Sequence, residues 1–93
     1  MKTYELVCAF RMKEGQDVAG IEAVKKILTD GKAVIKSEED MGDRELAYEI
    51  DKETRGRYRL FNIELDQEGL PKIEDALKLR KEILRYLFVA NGS

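Results

Sequence analysis

Glu45-Leu46-Ala47-Tyr48-Glu49-Ile50, the polar interval Asp51-Lys52-Glu53-Thr54-Arg55-Gly56, and Arg57-Tyr58-Arg59-Leu60-Phe61-Asn62-Ile63-Glu64-Leu65-Asp66 follow one another in the middle of the chain. The outer two segments alternate apolar and polar residues with the period of a strand, and the interval ends in a glycine able to take positive φ. Together they read as a β-hairpin. In its second strand Phe61, Ile63 and Leu65 look inward, while Tyr58, Leu60, Asn62 and Glu64 look outward. A hairpin at mid-chain splits the sequence into two halves, and the fold turns on what each half contains.

Toward the N-terminus, Thr3 to Arg11 alternates again, with Tyr4, Leu6, Cys8 and Phe10 on one face and Glu5, Val7, Ala9 and Arg11 on the other. From Gln16 to Asp30 the period widens. Val18, Ile21, Val24, Ile27 and Leu28 form one helical stripe, Asp17 is placed to cap its start, and Gly31 stands where a left-handed stop is wanted. Val34 and Ile35 open a long extended region that runs to Ile50, in which Gly42 predicts a bulge or bend. Toward the C-terminus a second helix begins near Leu70, with Pro71 in its first turn, buries Leu70, Ile73, Ala76 and Leu77, and ends around Leu79 to Lys81. The last strand, Ile83 to Ala90, is an apolar run broken by Arg85, and Asn91-Gly92-Ser93 reads as a frayed or appended end.

The order strand, helix, strand, strand, helix, strand predicts an α+β fold, a ferredoxin-like βαββαβ sandwich. Residues 1–93 form one domain, a four-stranded antiparallel sheet with two helices on one face, the arrangement that right-handed crossovers favour. The other face is then bare. Val7, Tyr58, Leu60 and one face of the last strand are expected there, an apolar and aromatic surface suited to a partner.

Composition narrows the function. At 93 residues and 10.7 kDa the chain has no room for a two-lobed enzyme. With 43% hydrophobic and 39% charged residues it holds one core beneath a charged surface and does not read as disordered. A formal net charge of −2 means that any polyanion has to be held by a local basic patch. Without histidine, Ser-His-Asp and Cys-His arrangements are absent, and a single cysteine excludes an internal disulfide or a Cys-rich zinc site. Cys8, in mid-strand on the apolar face, reads as an inert core thiol. Glu38-Glu39-Asp40 reads as a solvated acidic bend, since neighbours on an extended chain point to opposite faces and no calcium-loop spacing is present. No catalytic residue, metal or cofactor is expected. The opening residues lack the apolar core of a signal peptide, and a cytoplasmic protein without membrane contact is expected.

Four segments, taken together, resemble the bacterial small-subunit ribosomal protein six family. They are Tyr4-Glu5-Leu6; the run from Glu39-Asp40-Met41-Gly42-Asp43-Arg44 through Glu45-Leu46-Ala47-Tyr48-Glu49-Ile50-Asp51-Lys52; Arg55-Gly56-Arg57-Tyr58; and the run from Leu77 to Val89. The second is similar to the family's acidic pair, glycine, arginine, Leu-Ala-Tyr-Pro-Ile and lysine. The resemblance implies a non-catalytic role: binding the central domain of small-subunit ribosomal RNA beside small-subunit ribosomal protein eighteen, with a free chain that is monomeric. Phosphate contacts come from local Lys and Arg. Lys52 to Arg59 holds four basic residues against one acidic, and Lys78, Arg80, Lys81 and Arg85 make a second concentration. The candidate RNA contacts are Lys2, Arg44, Arg55, Arg57, Arg80, Lys81 and Arg85, with Arg44, Arg80, Arg85 and Lys2 at positions matching basic residues of the family. The candidate partner contacts are Leu46, Tyr48, Ile50, Tyr58 and Leu60. Of these, Leu46, Tyr48 and Ile50 are expected, with Met41, on a free sheet edge where protein eighteen would dock and where Leu46→Glu would abolish pairing.

The chain departs from the family pattern in places. Glu49 stands where the family has proline, Asp43 where an uncharged residue is common, and the C-terminal extension of many members is missing. These departures also suit an engineered member that kept the fold without RNA binding. Arg55-Gly56-Arg57-Tyr58-Arg59-Leu60-Phe61-Asn62 distantly resembles the third strand of an RNA-recognition motif, but Tyr4 and Phe10 fall on the core face and leave the first strand without a stacking aromatic.

Overall fold

The computed structural model describes residues 1–91, which form β1 (Lys2–Phe10), α1 (Gln16–Asp30), β2 (Val34–Ile50), β3 (Glu53–Leu65), α2 (Leu70–Lys78) and β4 (Ile83–Ala90). Single 3-10 turns at Lys13–Gly15 and Gln67–Gly69 lead into the helices. Gly92 and Ser93, part of the expected loose end, lie outside the described residues. Asn91 is not frayed: its N–H donates to the Thr3 carbonyl at 2.9 Å and prolongs the ladder beyond β4. Among the described residues no helix is long and apolar enough to cross a membrane.

The sheet runs β2-β3-β1-β4 with every neighbouring pair antiparallel, the order that two split βαβ units produce. The expected core face of β1 is buried in full: Tyr4, Leu6, Cys8 and Phe10 meet Phe61, Ile63 and Leu65 of β3, Val24 and Leu28 of α1, and Ile73 and Leu77 of α2. Full burial of each large aliphatic or aromatic side chain contributes roughly 1.5–3 kcal/mol relative to exposure. Tyr4 and Phe88 close one end of this layer edge to face, with ring centroids 6.4 Å apart.

Helix α1 is rotated from the expected stripe. Val18 is 62% exposed, and the buried positions are Asp17, Gly20, Val24 and Leu28. The cause is Gly20, whose missing side chain lets the helix close onto the Phe10 ring; a Cβ there would stand 2.5 Å from Phe10 Cδ1. Asp17 therefore lies within the helix and makes no cap; the capping position belongs to Gly15 at φ 76°. Gly31 does not take the left-handed stop either, having φ −82°, and Lys32 takes it instead at φ 65°. What Gly31 supplies is space, since a Cβ would come within 2.6 Å of Ile73 Cγ1 where the helices meet.

The hairpin is tighter than its polar interval suggests. Ile50 pairs with Glu53 across the two-residue turn Asp51-Lys52, both at positive φ (48° and 68°), the geometry of a type I′ connection. Gly56 is thus no turn residue. It sits inside β3, buried, where a Cβ would lie 3.3 Å from the Phe10 carbonyl oxygen. Gly42 does bend β2, at φ 83° and at a shift of register between Asp40 and Gly42. A further irregularity places Leu46 to Glu49 opposite Thr54 alone, between the Glu45–Arg55 and Ile50–Glu53 pairs.

Candidate nucleic-acid interface

In β3 the arginines share their side with the core. Arg57 and Arg59 have the parity of Phe61 and Ile63, so both reach over the helix-bearing face. Arg57 donates to Asp17 of α1 at 3.1 Å and makes a short pair with Asp40 of β2. Arg59 donates to Glu38 Oε1 at 2.7 Å, and Lys25 of α1 reaches the other oxygen of that carboxylate at 3.2 Å. Glu38 and Asp40 are consequently not a solvated acidic bend. They form, with Arg57 and Arg59, an ionic ladder that ties the sheet edge to α1. The Arg57 guanidinium, followed by the Gly42 N–H, holds the Asp40 carboxyl below its ordinary value. Burial pushes Glu38 up, but hydrogen bonds from Arg59 and Lys25 outweigh it and the net shift is downward.

The remaining basic candidates do not converge on one patch. Lys2 is exposed at the start of β1, at the opposite end of that nine-residue strand from the hairpin tip, about 30 Å away along the strand. Arg44 is exposed on β2 and donates from Nε to the Met41 carbonyl at 3.1 Å. Arg55 pairs with Asp43 at 2.9 Å, so the charge that distinguishes position 43 is matched across the hairpin. Arg80 is held by both Glu82 oxygens at 3.0–3.1 Å. Lys81 and Arg85 are exposed, and neither has an ion-pair partner among the described residues.

The partner candidates also divide. Leu46 is only 6% exposed, so it is not presented on the free edge as expected, and Leu46→Glu would place a charge in a buried site. Tyr48, two positions on, is 64% exposed; the register irregularity separates two residues that regular alternation puts on one face. Ile50 is half-buried beside the turn. Tyr58 and Leu60 are half-buried on the helix-free face, where β-pairing sets Leu60, Val7 and Leu87 in one row, Tyr58, Ala9 and Arg85 in the next, and Asn62, Glu5 and Val89 on the far side. Leu87 and Val89 are among the most exposed large apolar residues described. The last strand is apolar on both faces, so only its register with β1 tells which residues face outward.

Sequence reading missed the convergence at the hairpin end of the sheet. There the end of β1, the start of α1, the hairpin tip, the end of α2 and the start of β4 enclose an open cleft of about 550 Å³. Arg11 is its brace: Nε donates to the Lys81 carbonyl at 2.8 Å, while Nη2 pairs with Asp51 at 2.7 Å and Nη1 lies 3.8 Å from Glu53. Lys13, Lys78, Arg80 and Lys81 line the remainder. The basic run from Lys78 to Lys81 is legible in sequence; that Arg11 and Lys13 join it depends on tertiary structure.

A family model described as ribosomal protein S6 matches residues 3–90. Small ribosomal subunit protein bS6 of Treponema denticola is 48% identical over 89 residues, covering 96% of each chain, and that of Treponema pallidum is 39% identical over the same span. Among solved structures, 30S ribosomal protein S6 from Thermotoga maritima superimposes with a TM-score of 0.86 at 29% identity, over 97% of this chain and 87% of that one. The C-terminal domain of the Mycobacterium tuberculosis MgtC protein, at 9% identity and a TM-score of 0.67, shares the fold alone. Matched across nearly its whole length in both sequence and fold, the chain belongs to the ribosomal protein S6 family, bacterial proteins of the small ribosomal subunit.

Proposed function

We propose that this chain binds the central domain of small-subunit ribosomal RNA together with small-subunit ribosomal protein eighteen, as a monomer until it meets them. The observation that carries the reading is the helix-free sheet face. Leu60, Val7 and Leu87 form an apolar row there, Tyr58 and Val89 flank it, and Arg85 stands at its border. An apolar strip of this kind, rimmed by polar residues, suits a protein partner. Exposed cations at its margin, Arg85 first, suit phosphates of an RNA lying across the joint surface. The protein contact is therefore assigned to Tyr58, Leu60 and Leu87, and the β2 edge around Tyr48 and Ile50 is secondary. No catalytic role is assigned to any residue.

The test is binding to a central-domain RNA fragment across a salt series, with and without protein eighteen. Partner-dependent binding that weakens with salt is expected. Leu87→Asp should abolish pairing while leaving the circular dichroism spectrum intact, and Tyr48→Ser should leave pairing intact. Loss of pairing in Tyr48→Ser alone returns the contact to the β2 edge. A folded monomer that binds neither partner refutes the reading and points to a scaffold that kept only the fold.

A further inference from the structure

We infer that the cleft at the hairpin end of the sheet is a phosphate-backbone clamp for RNA, with Lys13, Lys78 and Lys81 as its contacting cations and Arg11 as the brace that holds its walls apart. The inference rests on the RNA-binding reading above and adds to it a place and a set of residues.

Charge is the first support. Five cations, Arg11, Lys13, Lys78, Arg80 and Lys81, line the cleft, whereas the carboxylates in reach are Asp51, Glu53 and the Glu82 that holds Arg80. That leaves a local surplus of positive charge on a chain whose net charge is −2. A surplus held in one concavity draws a polyanion where the protein as a whole does not.

The distribution of ion pairs is the second. Arg11 is committed to Asp51, Glu53 and the Lys81 carbonyl, and Arg80 to Glu82. The two arginines that acidic residues have already matched are therefore structural. Lys13, Lys78 and Lys81 are exposed or nearly so and have no ion-pair partner among the described residues. They come from two parts of the chain, Lys13 from the turn before α1 and Lys78 and Lys81 from the run that joins α2 to β4, so a phosphate backbone crossing the cleft meets cations from both. Lysine suits such a position because a flexible point charge follows a phosphate without demanding fixed geometry.

The experiment compares two variants of equal charge change in the full chain, with protein eighteen present and a central-domain ribosomal RNA fragment as the probe. Lys13→Gln with Lys78→Gln removes two cleft cations. Lys32→Gln with Lys72→Gln removes two exposed cations at the opposite end of the molecule. Each phosphate that is left without its cation lowers the slope of log affinity against log salt by about 0.7–0.9, so the cleft variant should show a slope smaller by roughly 1.5 and bind about tenfold or more weakly at low salt. The control variant should keep the wild-type slope. Equal effects from the two variants overturn the inference, as does a wild-type slope in the cleft variant, and either result leaves the RNA-binding reading standing. Wild-type protein that fails to bind the fragment at all overturns both.

Discussion

Replacing Gly20 with alanine tests how α1 is seated. Alanine normally helps a helix interior by about 1 kcal/mol over glycine. At this position its Cβ would stand 2.5 Å from Phe10 Cδ1 and 2.9 Å from Glu82 Cβ. Phe10 is fully buried, so its ring cannot swing aside without disturbing Val24 and Leu28 in the same core. Forcing an extra methyl into such a site costs about 1–3 kcal/mol. With the helix gain subtracted, and the double clash placing the cost at the upper end, Gly20→Ala should destabilise the fold by about 1–2 kcal/mol. That corresponds to a fall of roughly 5–15 °C in Tm for a domain of this size. Urea unfolding followed by circular dichroism measures it, with the transition midpoint lowered and the slope unchanged. A double-mutant cycle sharpens the test: Phe10→Leu should cost less in the Gly20→Ala background than alone, by at least about 0.5 kcal/mol. A Gly20→Ala protein as stable as wild type, or a cycle without coupling, would refute the packing argument.

Acid should weaken the link between sheet and α1. Glu38 and Asp40 titrate below their ordinary values of 4.5 and 3.8 in the folded protein, so their contribution is fully present above those values and is lost as pH falls through the lower folded ones. Arg59→Gln should return the Glu38 titration toward 4.5 by carboxyl NMR, and an unchanged titration contradicts the ladder. Lys52→Gly should raise the stability measured by urea unfolding by about 0.5–1 kcal/mol, because Lys52 is held at φ 68°, whereas Lys52→Val should lower it. Burial pushes the Cys8 thiol up to about 12, so a thiol reagent at pH 8 should label it no faster than the protein unfolds; faster labelling would mean that β1 opens locally.

The order of elements and the inner faces of β1 and β3 are legible in the sequence because burial imposes a strict period of two on each strand. Gly42 is legible because a glycine inside a long extended run marks a bulge or bend. The failures share a cause, which is that glycine serves close approach as well as positive φ. Gly31 and Gly56 read as turn residues in the sequence and are packing residues against Ile73 and the Phe10 backbone, while the left-handed positions fall to Lys32, Asp51 and Lys52. The rotation of α1 is hidden because Val18 fits an apolar stripe as well as Gly20 does until Phe10 is placed beneath it. For the candidate site, a run of arginines shows its charge in sequence but not its neighbours. Arg57 and Arg59 face acidic partners, whereas among the unmatched cations Lys78 and Lys81 are neighbours in sequence and only folding brings Lys13 beside them.

The central position of β1 bears on how the chain reaches this state. Its two neighbours are β3 and β4, so Lys2 pairs with Leu65 and Tyr4 with Ala90, across nearly the whole length of the polypeptide. During synthesis β1 must wait for β4. Until β4 emerges, β1 keeps an open edge, and a nascent chain stopped before Ile83 carries Leu6, Cys8 and Phe10 without the strand that completes their layer. Sequence-distant closure of this kind slows folding toward milliseconds or longer and makes the late intermediate prone to pair with other strands. A β2–β3 hairpin with a two-residue turn can form early and locally, which leaves the pairing of β1 with β4 as the step that commits the molecule to its fold.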